Sequence, residues 1–395
     1  MSDSNSTSNH LMSTYSRLPV AFKSGRSVYL TDTEGKEYLD AICGIAVCGL
    51  GHAHPDVAKA IADQAKTLIH TSNLYEIPHQ TELGTKLCQL AEMDKVFFSN
   101  SGAEANEAAI KLARLYGKQQ GIERPNIIVA CDSFHGRTLA TLSATGNRKV
   151  QAGFEPLVNG FIRVPYNDIE AIEKIAETNT DIAAILVEPV QGEGGVVVPD
   201  SDYLSNIRSI CDDNNWLMML DEIQTGIGRT GKWFAHQHAN NAKPDVMTLA
   251  KALGNGVPIG ACLAAGKASG VFAPGNHGST FGGNPLATRA ALTVLDIIET
   301  QNLCKNAANM GKYILEQFKQ ELSDVDSVSD IRGLGLMIGI ELGRDCPELV
   351  TLAMEYDLLI NVTAGKTIRL LPALITTKEQ ADTIIKIVSI LVKTL

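Results

Sequence analysis

Residues 216–222 read Trp216-Leu217-Met218-Met219-Leu220-Asp221-Glu222, an apolar run closed by two carboxylates. A short run with no polar residue alternating through it is expected as a strand buried on both faces. Such strands belong to parallel sheets covered by helices, and their ligands bind beyond the strand C-termini. Asp221 stands at that end, where a cationic ring nitrogen, a metal or a helix cap would each account for it. His236 and His238, spaced i,i+2, have no ligand-like partner nearby in sequence, so no metal is expected.

Outward from this run, further strands are expected at 95–99, 126–130, 182–187, 246–249 and 259–264, with helical patterns between them. Ala105, Ala108, Ala109, Leu112 and Tyr116 share one helical stripe, and Glu107 and Lys111 are spaced as an i,i+4 pair. Strand–helix alternation predicts an α/β domain with a mostly parallel sheet. After Gly283 the pattern changes to helices at 286–300, 302–322, 346–356 and 378–395, with strands in 329–342 and near 367–371. This predicts a smaller α+β domain. The expected organisation is a flexible arm at 1–14, a segment at 15–50 packing with the small domain, a large domain at 51–283 and the small domain at 284–395. The segment at 15–50 should contain a hairpin of 28–31 and 37–40.

The net charge of −10 disfavours binding to phosphate backbones, so no nucleic-acid partner is expected. The longest uncharged apolar stretch, 41–51, is 11 residues against the roughly 20 that a membrane span requires. The Ser- and Asn-rich start has neither a basic nor an apolar segment of a secretory signal. Eight scattered cysteines without a Cys-x-x-Cys suit reduced thiols in the cytoplasm.

Two further features carry chemistry. Ser99-Asn100-Ser101-Gly102-Ala103 joins an apolar strand to the alanine-rich helix. Free N–H groups and the positive helix end suit a phosphate there, while a plain N-cap is the simpler reading. Lys251, in Leu249-Ala250-Lys251-Ala252-Leu253-Gly254, follows a strand and sits among small and apolar residues. It is either a desolvated, nucleophilic amine or a lysine that reaches out to solvent. An amine, a carboxylate and a phosphate turn together match the aldehyde, ring nitrogen and phosphate of pyridoxal 5′-phosphate.

Seven motifs in order then resemble the class III (ω-) aminotransferases, a family of fold-type I pyridoxal-phosphate enzymes. They begin at Ser101-Gly102-Ala103-Glu104-Ala105-Asn106-Glu107, Phe134-His135-Gly136-Arg137-Thr138 and Glu188-Pro189-Val190-Gln191-Gly192-Glu193-Gly194-Gly195. Asp221-Glu222-Ile223-Gln224-Thr225-Gly226, Lys251, Gly278-Ser279-Thr280-Phe281-Gly282-Gly283-Asn284-Pro285 and Arg332-Gly333-Leu334-Gly335-Leu336 complete the set. The resemblance covers the chain from about Tyr15 onward.

It implies that Lys251 carries the cofactor covalently and that Asp221 pairs with the ring nitrogen. It also implies Gln224 at the ring hydroxyl, Phe134 stacked on the ring, and Ser101, Gly102 and Ala103 at the phosphate. Glu222 joins the cofactor-binding set, and Thr280 reaches the phosphate from a neighbouring subunit, which implies a homodimer with shared sites. Arg137 is expected on the substrate's distal carboxylate and Arg369 on the α-carboxylate of glutamate. Glu193 is expected as a gate over Arg369, with Ser279 near the donor end. Within the class the pattern is most similar to the acetylornithine branch, with N-acetylornithine and 2-oxoglutarate/glutamate as substrates and a place in arginine biosynthesis. Succinylornithine, ornithine δ-, 4-aminobutyrate and aminoadipate-semialdehyde aminotransferases share the same cofactor motifs, and an aminomutase is the alternative from another reaction class.

Overall fold

The computed structural model describes residues 10–395; of the expected arm at 1–14, the first nine residues lie outside the described residues. A central sheet has seven strands. In spatial order they are Lys95–Ser99, Gly260–Ala264, Val246–Leu249, Leu217–Asp221, Ile182–Val187, Asn126–Ala130 and Phe161–Val164. From Val246–Leu249 to Phe161–Val164 every pairing is parallel, and only Gly260–Ala264 runs against its two neighbours.

Side chains alternate across this sheet. Leu217 and Met219 face a layer containing Ala108, Ala109, Leu112 and Tyr116 of the Gly102–Gln119 helix. Met218 and Leu220 face the opposite layer, with Tyr203, Ile207 and Cys211 of the Tyr203–Asp213 helix. Burial on both faces explains why residues 217–220 contain no polar side chain.

Phe161–Val164 was not expected as a strand. Arg163 interrupts its apolar run, which an edge position tolerates. The Glu107–Lys111 pair does not form. Glu107 instead accepts hydrogen bonds from the Thr138 hydroxyl and the Thr141 N–H, while Lys111 donates to the Asn276 carbonyl at 2.9 Å. Both side chains are drawn to neighbours across the fold, which outcompete a surface pair worth a few tenths of a kcal/mol.

A second sheet is antiparallel, in the order Val328–Leu334, Met337–Leu342, Thr367–Leu370 and Asn361–Thr363. The Leu303–Glu321, Glu348–Glu355 and Lys378–Lys393 helices lie near it in sequence and share its core. A third sheet joins Phe22–Arg26, Tyr29–Asp32 and Glu37–Asp40 to Leu358–Leu359, the last pairing being parallel. The chain near its start is thereby hydrogen-bonded to residues beside the second sheet. Among the described residues no helix is long and apolar enough to cross a membrane.

Candidate active site

The parallel strands end at one rim, and the chemistry gathers there. Leu217–Asp221 ends on Asp221, Val246–Leu249 is followed two residues on by Lys251, and Ile182–Val187 is followed directly by Glu188. Together with the start of the Gly102–Gln119 helix they enclose a cavity of about 400 Å³. Of the residues singled out in the sequence, it is lined by Ser101, Gly102, Ala103, Phe134, Arg137, Glu193, Asp221, Gln224 and Lys251.

Lys251 starts a short 3₁₀ turn with φ +45°, a left-handed backbone that a non-glycine residue adopts only where its surroundings impose it. Burial disfavours its ammonium. Glu193 and Asp221 oppose that and Arg369 adds to it, and the net result holds the amine below the ordinary lysine range.

Asp221 is held from three sides. Asn106 Nδ2 donates to Oδ2 at 2.8 Å, His135 Nδ1 lies 2.8 Å from the same oxygen, and the Ile223 N–H donates to Oδ1 at 3.1 Å. Thr248 in turn donates to Asn106 at 2.7 Å. Burial pulls the His135 imidazole toward neutrality, but the Asp221 carboxylate outweighs it and the net shift is upward. Its Nε2 is buried with no hydrogen-bond partner. Glu188 is pushed up to about 7, chiefly by burial, although it accepts N–H bonds from Phe134 (3.1 Å) and Gly192 (3.3 Å). Asn106, His135 and Glu188 stood inside motifs already recognised but carried no assigned role. An asparagine beside Ala105 on the buried helix stripe was the readable signal for the first of them.

Ser101 both caps the helix and lines the cavity. Its Oγ accepts from the Glu104 N–H at 3.2 Å, and Glu104 accepts back from the Asn100 N–H at 2.7 Å. The first-turn N–H groups of a helix have no intrahelical partner, so those of Gly102 and Ala103 remain available at the wall. Gly102 has no room for a side chain, since a Cβ would lie 2.7 Å from Ile223 Cδ1.

Arg369 is 1% exposed and lies behind this wall rather than on it. Its Nη1 meets Glu193 Oε1 at 2.5 Å and Gln224 Oε1 at 3.4 Å. Burial raises the Glu193 carboxyl, the Arg369 cation lowers it more, and the net shift is downward. Arg137 stays exposed, with its guanidinium 5.6 Å from the Phe134 ring centroid at the cavity.

Glu222 belongs elsewhere. It is fully buried and accepts the Ala235 (2.8 Å) and His236 (2.9 Å) N–H groups and the Thr225 hydroxyl (2.7 Å). The reason is strand alternation, which turns it away from the side Asp221 faces. It fastens the Ala235–His238 turn and does not line the cavity. Thr280 is also outside the cavity, on an exposed loop beside His70 and Ser72. Ser279 sits one step from the wall, its Oγ accepting from Asn100 at 3.1 Å.

The sequence profile of the family Aminotransferase class-III matches residues 11–392. The chain belongs to the class-III aminotransferases. An acetylornithine aminotransferase of Nitrosomonas europaea is 60% identical to this aminotransferase over 97% of both chains. The ornithine aminotransferase of Toxoplasma gondii has a similar structure, with TM-score 0.94 and 32% identity over 98% of this chain and 93% of the other. The acetylornithine aminotransferase of Elizabethkingia anophelis gives TM-score 0.86 and 36% identity over 98% and 97%. Aminotransferases of this class depend on pyridoxal 5′-phosphate, and the residues present fit it. A lysine amine held below the ordinary range by burial, a carboxylate whose Oδ1 has capacity for a further donor, and a helix start stripped of side-chain bulk surround one cavity.

Proposed function

We propose that this aminotransferase moves the δ-amine of N-acetylornithine to 2-oxoglutarate, giving N-acetylglutamate 5-semialdehyde and glutamate, as a step of arginine biosynthesis. The observation that carries the reading is the buried Arg369 capped by Glu193 beside Lys251. Glutamate presents an α-carboxylate next to the reacting carbon, and acetylornithine's reacting carbon has none. A cation that can be covered by its own carboxylate serves both. The relative at 60% identity supports acetylornithine as the donor.

Bound in the cavity, pyridoxal 5′-phosphate supplies an electrophilic carbonyl and an electron sink. Gly102, Ala103 and Ser101 hold its phosphate, Asp221 keeps its ring nitrogen protonated, and Phe134 and Gln224 orient the ring. Lys251 would take the proton from the substrate's amine-bearing carbon and deliver it to the cofactor carbon that had carried the carbonyl, C4′. Arg137 receives the distal carboxylate of either substrate. Thr280 serves a second copy of the chain in a homodimer. The eight free cysteines suit a cytoplasmic enzyme. Residues 51–283 form its cofactor domain and 284–395 its small domain, against which 15–50 pack.

Half-reaction kinetics test this, followed through the cofactor's visible absorption. Arg369→Ala should weaken 2-oxoglutarate by about 1.5–3 kcal/mol, a lost charged hydrogen-bond pair, and spare acetylornithine. Arg137→Ala should weaken both. Equal damage to both halves by Arg369→Ala would make that arginine structural. Ornithine outperforming acetylornithine in a donor panel would move the enzyme to the ornithine branch, with which it shares its fold.

A further inference from the structure

The strand Asn361–Thr363 is only three residues long and pairs antiparallel with Thr367–Leu370, Asn361 opposite Arg369 and Thr363 opposite Thr367. Residues two apart on a strand point to one side, so Asn361 and Thr363 share a face. Asn361 Oδ1 accepts from Arg369 Nε at 3.1 Å and from Nη2 at 2.7 Å. That occupies one edge of the guanidinium and leaves Nη1 aimed at Glu193. Thr363 Oγ1 donates to the backbone carbonyl of Glu193 at 2.7 Å. One short strand therefore touches both members of the ion pair, the cation through its side chain and the gate through its backbone.

We infer that Asn361 and Thr363 are positioning residues that hold Arg369 and Glu193 in register, so that the gate opens by rotation of the Glu193 side chain on a fixed base. This rests on the substrate assignment proposed above.

The base is pinned at further points. Gln191 and Val197 exchange two backbone hydrogen bonds, both of 3.0 Å. Arg332 donates to the Gly195 carbonyl at 2.6 Å and to the Val196 carbonyl at 2.9 Å. Val196 is fully buried. A Cβ on Gly192 would lie 2.4 Å from Gln224 Oε1, so the loop presses directly on the cavity wall. Against this fixed backbone the Glu193 side chain is 35% exposed and has room to swing. The chemistry of Asn361 matters as well. An amide oxygen orients the guanidinium without neutralising it, so the full positive charge remains for either Glu193 or a substrate carboxylate. A carboxylate at 361 would compete with both.

Two substitutions pull in opposite directions. Thr363→Val removes the donor that fixes the gate. It should lower acetylornithine efficiency (kcat/KM) relative to glutamate about 2- to 10-fold, the range of one lost hydrogen bond, and Thr363→Ser should restore the ratio. Asn361→Asp places a permanent partner on Arg369 and should lower glutamate and 2-oxoglutarate efficiency about 10-fold or more, with acetylornithine little changed. Calorimetric Kd values for 2-oxoglutarate with the holoenzyme should move the same way, tighter for Thr363→Val and weaker for Asn361→Asp. In the Glu193→Gln background, Thr363→Val should add no further shift, because the two act on one gate. Thermal midpoints identify a variant that does not fold, and Asn361→Asp, which keeps the side-chain volume, then carries the test. Ratios that move together, or not at all, while Glu193→Gln alone shifts them, would overturn the positioning role and leave the gate intact. A wild type that does not accept acetylornithine would instead sink the substrate assignment, and the 2-oxoglutarate Kd values would still judge the strand.

Discussion

Asp221 shows how much a single residue owes to its neighbours. A lone carboxylate at a buried strand end would be costly, and Asn106, His135 and the Ile223 N–H offset that cost. Asp221→Asn should keep the fold and the phosphate contacts but slow the chemical step by about 3 kcal/mol or more, as lost electrostatic stabilisation does. Near-normal single-turnover rates in that variant would remove Asp221 from the reaction. His52 offers a pH test away from the site. Its ring lies 2.8 Å from Asp40, and hydrogen bonding to Asp40 first, then Cys48, raises its pKa from 6.5 to about 9. The folded value exceeds the unfolded one, so this stabilisation is complete below pH 6.5 and is lost as pH rises through about 9. Thermal midpoints of wild type should fall across that window more steeply than those of His52→Gln; parallel curves would show that the pair contributes nothing. Asp221 and Lys251 were legible because each breaks the pattern of its own segment. Asn361 and Thr363 were not, since each is an ordinary residue at a strand end and nothing local shows that they meet Arg369 and Glu193.

Elements are held at the site by close approach as much as by pairing. Gly260 opens the one strand that runs against the sheet, and a Cβ there would lie 2.3 Å from the Ser101 carbonyl. Gly260→Ala must push that strand away from the Ser101 turn, at about 1–3 kcal/mol as an overpacked core position. We expect a lower thermal midpoint together with weaker cofactor retention on dialysis; a loss of stability with cofactor affinity unchanged would show that the strand and the turn move independently. Expected and observed elements agree where an apolar run is long or strongly periodic, as in Ile182–Val187 and Gly102–Gln119. They part at Phe161–Val164 and Asn361–Thr363, where an edge strand needs few apolar residues and is specified by the partner it meets.

At the scale of the whole molecule, the loop bearing Thr280 lies on a face with exposed Leu74 (86%), Tyr75 (69%) and Phe281 (61%). Asn73 ties that loop to the 68–75 segment, donating to the Ser279 carbonyl at 3.2 Å and the Gly282 carbonyl at 3.0 Å. An apolar face of this kind suits a second copy of the chain. If Thr280 serves the partner's cofactor, mixing Lys251→Ala with Thr280→Ala under subunit exchange should yield more activity than the two parents together, because one site of each mixed dimer is then intact. Activity no greater than the parents' sum would return Thr280 to its own subunit. The sequence by itself determined the layered α/β architecture and singled out Lys251, Asp221 and the turn at Ser101-Gly102-Ala103 as candidates. Those follow from local patterns, a hydrophobic period or a polar residue where burial is expected. Only the tertiary structure decided that Glu222 braces a turn, that Arg369 lies behind the cavity wall rather than on it, and that a three-residue strand touches both Arg369 and Glu193. Those depend on which way a side chain points and on contacts between residues up to 176 positions apart, which no local pattern encodes.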